Sequence, residues 1–359
     1  METRQSRRRI RPGASPGHAI ETVAADATGG RVDWVRYSDT EMTEESAAPL
    51  ADVLDSLGDG QVNWLHFDAP PDPPVLRLLQ ERLGLDALAL EDVHNGGQRS
   101  KLELFENHSF VVVSVPLLHD GTVKVEQLSL FLGPRWVISV WPGPPSLLAP
   151  VLERLRSGGT GRIRTRGADY LLYTLVDAAV DSVFPVLETI AREVEDTEDE
   201  VLNGASEDTL AGIHHTRRNI IALRRLNVPG QEMLGALLRA DDSPLGAQTR
   251  RYMRDVLDHH MRISDMMESL SEMIRGMHEL NLATLSNRMN DVMKLLTMIA
   301  TIFIPLSFVT GLYGMNFNPE VSPWNMPELN TRFGYPAVLL LLAGVAGIMI
   351  WAFRRRDWL

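Results

Sequence analysis

The chain has 359 residues, 44% of them hydrophobic and 23% charged, with a formal net charge of −12. It contains no cysteine, which excludes disulfide staples, cysteine zinc sites and thiol chemistry. The acidic balance argues against nucleic acid as a partner and suits a body that gathers cations.

Residues 1–30 hold Arg4, Arg7, Arg8, Arg9 and Arg11 with no apolar core after them. That pattern predicts a disordered, Arg-rich tail rather than a secretory signal, with contact to anionic lipid as the alternative. Residues 31–165 read as an α/β domain. Strands are predicted at Val32–Tyr37, Val62–Asp68, Leu102–Phe105, Phe110–Leu117, Val123–Leu132 and Trp136–Val140, with Asp120–Gly121 as a hairpin turn. Helices are predicted from about Pro73 to Leu83 and near Ala87–His94.

Residues 166–242 read as acidic cytoplasmic helices, roughly Ala168–Leu202 and Glu207–Ala240. Between Glu188 and Glu200 stand seven acids and one base, Arg192. Such a run is ordinarily a solvated face, and a cation-collecting role is the alternative. From Ser243, read as an N-cap, and Pro244 there is no further proline until Pro305. A continuous helix is therefore expected over 243–313, with ~60 residues and ~90 Å before that proline. Its methionines read as packing filler. His214–His215 and His259–His260 are adjacent pairs, whose members point to different faces and form no metal clamp.

Leu295–Tyr313 is nineteen residues without a charge, and Gly334–Phe353 is another twenty. Each spans ~30 Å as a helix, the thickness of a bilayer core. Arg288 and Lys294 precede the first span and Arg354–Arg356 lie in the tail 354–359 after the second, while the loop 314–333 has only Arg332 as a base. Both termini are therefore expected in the cytoplasm. Along the first span Asn290, Met293, Thr297, Ala300, Ile304, Ser307 and Gly311 recur at spacings of three and four, on one helical stripe. Polar groups in hydrocarbon must face protein or water. A dry helix–helix interface explains the stripe about as well as a pore, and a pore needs several copies around one axis.

Tyr313-Gly314-Met315-Asn316 follows that span. It is embedded between Asn290-Asp291-Val292-Met293-Lys294, Ala300-Thr301-Ile302-Phe303-Ile304-Pro305-Leu306, Met326-Pro327-Glu328-Leu329 and Gly334-Tyr335-Pro336. Upstream stand Leu90-Glu91-Asp92-Val93, Leu102-Glu103-Leu104-Phe105, Tyr170-Leu171-Leu172-Tyr173, Asp177-Ala178, Phe184-Pro185-Val186-Leu187-Glu188 and Arg254-Asp255-Val256 with Asp258-His259. In order over residues 30 to 359, these resemble the CorA family of magnesium and cobalt transporters, whose signature is Gly-Met-Asn.

The resemblance implies an α+β fold: a cytoplasmic α/β domain, long helices forming a funnel and two C-terminal transmembrane helices. It implies a homopentameric plasma-membrane channel in contact with lipid, with Mg2+ as cargo and regulator, and no enzyme. It makes Gly314, Met315 and Asn316 the selectivity filter and Asn290, Met293, Thr297, Ile304 and Ser307 pore-lining. Methionine is expected where Ile304 stands and threonine where Ser307 stands, and the nine residues between Asn316 and Met326 exceed the family pattern. The resemblance also assigns Asp92 and Asp255, with Glu91 and Glu279 as a second set, to intersubunit carboxylate sites at which internal Mg2+ closes the channel. Gly314 is expected to let the chain turn at the helix end, and Met315 to pack so as to hold Asn316.

The residue chemistry suits that cargo. Mg2+ holds its waters at ~2.1 Å and sheds them reluctantly, so rapid passage favours contact through the waters. Amide carbonyls at Asn316 accept hydrogen bonds from coordinated water, and no acid lies between Asp291 and Gly314. The nearest rival is a zinc transporter of the ZntB type, against which Met315 counts. No selective cage excludes Co2+ or Ni2+. A membrane-anchored structural or sensory oligomer is the rival of another class.

Overall fold

The computed structural model describes residues 30–58, 60–157, 163–202, 207–239, 243–318, 320–322 and 324–356. The predicted tail up to residue 29 and the end of the basic tail, 357–359, lie outside them.

The chain divides into two compact units, one up to residue 277 except 201–205 and the other formed by 201–205 and 278–359. The first is built on a seven-stranded sheet: β1 Arg31–Tyr37, β2 Met42–Pro49, β3 Val62–Phe67, β4 Lys101–Leu104, β5 Ser109–His119, β6 Thr122–Leu132 and β7 Trp136–Val140. The strand order is β2-β1-β3-β7-β6-β5-β4, and only β3 and β7 run parallel. All six predicted strands form. β1 is legible because buried and exposed residues alternate, and β7 because all five of its residues are buried. The β5–β6 hairpin turns at Asp120 and Gly121, both at positive φ as a tight primed turn requires.

Helices α1 Leu50–Asp55, α2 Pro73–Leu83 and α3 Ala87–Asn95 cover one face. There Leu50, Leu76, Leu79 and Leu90 join Trp34, Leu65, Phe110, Phe131 and Ile138 in one buried cluster. Asp86 caps α3 by accepting from the amides of Leu88 and Ala89. After α4 Ala149–Arg156 come α5 Ala168–Asp181, α6 Val183–Leu202 and α7 Glu207–Arg239. The predicted helix 168–202 is thus two helices, interrupted at Ser182, whose hydroxyl donates to the Ala179 carbonyl. Asn219 of α7 ties the helix to the hairpin end, donating to the Gly121 carbonyl at 2.7 Å and accepting from the Val123 amide at 3.1 Å.

The long helix α8 runs Ala247–Tyr313, 67 residues and so ~100 Å. It begins later than Ser243 predicted. The Ser243 hydroxyl instead donates to the Leu237 carbonyl and accepts the Leu245 amide, making a turn before the helix. Asp169 fixes the true start, accepting from the Gly246 amide and the Thr249 hydroxyl. The last helix, α9, is Gly334–Arg355.

Among the described residues, three stretches are long and apolar enough to cross a membrane: Ala168–Leu202, and windows within α8 and α9. Burial separates them. The first is 56% buried within its unit, so its apolar face belongs to the core, whereas the α8 and α9 windows are 6% and 0% buried. The last two are the membrane-type helices. Within their unit, Met298, Ile302, Pro305, Val309 and Tyr313 on α8 and Val338, Leu342, Val345, Met349 and Phe353 on α9 form buried to half-buried stripes at helical spacing.

A candidate ion path and a carboxylate–histidine cluster

The stripe proposed as pore-lining lies on the exposed side of α8: Asn290, Met293, Thr297, Ile304 and Ser307 are all exposed in the single chain. Asn287, Asn290, Asp291, Met293, Lys294 and Thr297 line an open groove along this helix. Lys294 lies 3.6 Å from Asp291, one turn away, so the groove carries both charges. Because Pro305 has no amide hydrogen, it leaves the Thr301 carbonyl without its usual intrahelical donor.

α8 ends where the tripeptide begins. The Gly314 amide donates to the Thr310 carbonyl at 2.9 Å and the Met315 amide to the Leu312 carbonyl at 3.2 Å. Gly314 is the turn residue directly after the helix, as expected, and its φ lies outside the left-handed region. A Cβ there would stand 3.2 Å from the Thr310 carbonyl oxygen, a tight approach within the helix's own last turn. Met315 is 47% exposed in the single chain, so about half of its surface is left for a further contact. Asn316 is exposed.

The loop is tied back to the helix end. Tyr313 donates to the Glu328 carboxylate at 2.6 Å, and this bond holds Glu328 below the usual carboxylate range. At the entry to α9 a Cβ on Gly334 would lie 2.0 Å from the Glu328 carbonyl oxygen, an approach only glycine permits.

Asp92 is already engaged within its own chain. Lys101 donates to one of its oxygens at 2.6 Å and Gln98 to the other at 2.7 Å. Burial pulls the Lys101 pKa down, but its bonds to Asp92 and Glu103 outweigh that and raise it. Glu91 is half-buried and has interactions of its own. Glu279 is exposed on α8. Asp255 is also exposed on α8, with one oxygen 3.8 Å from His259 Nε2.

That histidine leads to an arrangement the sequence did not reveal. His259 Nδ1 lies 2.9 Å from Asp181 on α5, and Asp177 stands one turn before Asp181. One ligand atom from each of Asp177, Asp181 and His259 falls within 4.8 Å of the others, a spacing that can hold a metal ion. Burial, and then the Asp181 charge, push Asp177 up to about 6. An open groove beside the cluster is lined by Pro116, Pro144, Arg154 and Pro185 as well as both aspartates. Carboxylates suit Mg2+, and an added imidazole suits first-row ions such as Co2+ and Ni2+. The adjacent His260 takes no part. Its Nε2 lies 2.9 Å from the Asn227 carbonyl, and burial lowers its pKa.

The family model for CorA-like Mg2+ transporter proteins matches residues 59–355. This chain belongs to that family. The CorA-like chain is 36% identical over 332 residues to the cobalt/magnesium transport protein CorA of Thermotoga maritima, covering 91% of this chain and 92% of the relative. Its fold matches the complete structure of the CorA magnesium transporter from Methanocaldococcus jannaschii with a TM-score of 0.77 at 20% identity, over 91% of this chain and 99% of that one. It also matches the ZntB cytoplasmic domain from Vibrio parahaemolyticus, with a TM-score of 0.58 at 12% identity over 72% of this chain and 99% of that domain. At those identities the two structures speak to fold alone.

Proposed function

We propose that this CorA-like protein is a homopentameric channel that admits Mg2+, with Co2+ and Ni2+ as further cargo, across the plasma membrane, its termini in the cytoplasm. The observation that carries the reading is the continuity of one element. A single helix bears an exposed, acid-free polar stripe through an apolar span and ends at Gly314-Met315-Asn316. One helix cannot enclose a path, so the stripes of several copies face a shared axis and the Asn316 amides ring its mouth. There the ion keeps its water shell and is bound through it, which allows quick release.

The charged groove at Asn290–Thr297 then forms the inner end of the path. Ile304 provides an apolar constriction and Ser307 a hydroxyl lining. Closure depends on internal Mg2+ at carboxylates of the soluble unit. Asp255 and the neighbouring Asp177, Asp181 and His259 supply ligands on one side of a subunit interface, and Asp92 with Glu91 face them from the next. The Lys101 ammonium on Asp92 is then the competitor that a bound cation displaces. Glu279 belongs to the outlying second set.

The zinc reading has less support, because the tripeptide keeps Met315 and the near full-length likeness is to a cobalt/magnesium transport protein. The test is Mg2+ uptake by vesicles containing the Asn316→Ala variant. Uptake should fall to the level of empty vesicles while the oligomer persists in detergent. Parental uptake by a correctly assembled variant would remove Asn316 from the filter.

A further inference from the structure

The loop that follows the tripeptide is longer than the family pattern leads one to expect, and its polar groups are turned inward on one another. The Asn318 carbonyl accepts from the Asn325 side-chain amide at 2.9 Å and from the Val321 amide at 3.3 Å. The Asn318 side chain accepts the Glu320 amide at 2.9 Å, the Ser322 hydroxyl accepts the Trp324 amide, and the Ser322 carbonyl accepts the Asn325 amide. This closed turn leaves the apolar side chains outside: Trp324 is 90% exposed, Val321 79% and Phe317 50%. A loop held by such internal hydrogen bonds while displaying an indole and two hydrocarbon groups is suited to meet a partly apolar partner.

The adjoining helices say which partner. Tyr335 at the start of α9 is 76% exposed and Trp351 near its end is 60% exposed. They lie 16 residues apart on one helix, or ~24 Å. The Arg355 guanidinium sits over the Trp351 ring at 5.4 Å, placing a base and an aromatic together at one end of the span. Aromatic residues at both ends of an apolar helix mark the two headgroup levels of a bilayer. Phe317, Val321 and Trp324 lie in the loop that leads to the Tyr335 end of α9.

We propose that the loop is a lipid-docking element, with Phe317, Val321 and Trp324 inserted into the headgroup and glycerol region of the leaflet from which the two spans emerge. The occupant is phospholipid, and the inference rests on the reading of α8 and α9 as membrane spans, not on which ion passes. The internal hydrogen bonds fix the turn before it meets lipid, so little ordering accompanies insertion. Tyr313 to Glu328 joins the turn to the end of α8, so the docked loop also steadies the backbone on either side of Asn316.

The experiment uses the full chain in vesicles whose phospholipid acyl chains carry bromine near the glycerol end. The reporter is the emission of the parent minus that of Trp324→Phe, which isolates one indole among seven. That difference should be blue-shifted and fall at least about twofold with shallow bromine, while aqueous iodide leaves it nearly unchanged. Alkaline-carbonate extraction checks insertion separately, so failure of the spans is not confused with failure of the loop. A water-like emission quenched by iodide and untouched by brominated lipid would overturn the proposal. So would efficient intersubunit disulfide formation in a Trp324→Cys variant, because the loops would then meet each other rather than lipid. Val321→Cys carrying an environment-sensitive dye repeats the measurement without altering the tryptophan, and should report the same depth.

Discussion

A neutral amide and a carboxylate meet a hydrated cation differently. In the proposed path the amide of Asn316 accepts hydrogen bonds from the shell, whereas an acid in its place would add a full charge and slow release. The soluble unit shows the opposite choice. There carboxylates gather beside an imidazole, and Asp177, pushed up to about 6, bears the cost of that proximity. An unfolded aspartate titrates near ~3.9, so between that value and about 6 the folded chain keeps a proton the unfolded chain has lost. Stability from this group therefore declines as pH rises through that window and levels off above it. Asp177→Asn removes the decline. In chelator-treated protein its Tm should match the parent's at the acid end of the window and exceed it by a few degrees at pH ~7.5. Saturating Mg2+ at the higher pH should narrow that gap, because the cation offsets the charge crowding in the parent. A Tm difference that is constant across the window would show that Asp177 does not titrate there.

At the scale of elements, the legible parts were those whose period is set by burial. The six strands rich in Val, Phe and Trp could be read directly, and so could the two apolar spans. The edge strand β2 could not: Met42-Thr43-Glu44-Glu45-Ser46-Ala47-Ala48-Pro49 has no apolar alternation and is almost wholly exposed. It exists because β1 offers an open edge, and its pairing shifts register between Val32 and Trp34. The apparent single helix 168–202 failed at Ser182 because nothing in the apolar period changes there. The Asp177–Asp181–His259 cluster was also out of reach. The pairing of His259 with Asp181 joins residues 78 apart in sequence, and periodicity along one helix is silent about what another helix brings to it.

The polar stripe was legible from spacing alone, its role as a pore lining was not, and single cysteines test that role directly because the parent has none. Cysteines replacing Asn290, Met293, Thr297 or Ser307 should react with a water-soluble thiol reagent, which should then cut Mg2+ flux at least about fivefold. Cysteines replacing Met298 or Ile302, on the buried to half-buried stripe, should be spared. Polar-stripe cysteines that resist the reagent as fully as those at Met298 and Ile302, with flux unchanged, would assign the polar stripe to a dry helix interface instead.

For the whole molecule, the energies decide whether carboxylate sites are adequate to close a channel. Two facing carboxylates at ~4 Å repel by about 4 kcal/mol at an effective dielectric of 20, before salt screening. Turning a gate from mostly open to mostly closed takes about 5.5 kcal/mol of differential binding. The five interfaces of the proposed pentamer would reach that figure with ~1 kcal/mol at each, well within what a bridging cation supplies. In the proposed assembly closure would then be cooperative because no interface suffices alone, and loss of internal Mg2+ would loosen the ring as a whole. All of this presupposes that the chain conducts. The decisive measurement is therefore Mg2+ entry into sealed vesicles containing only this protein, followed with an entrapped indicator. The expected result is entry down the Mg2+ gradient well above that of protein-free vesicles. Entry indistinguishable from protein-free vesicles, with the protein fully inserted and assembled, would contradict it.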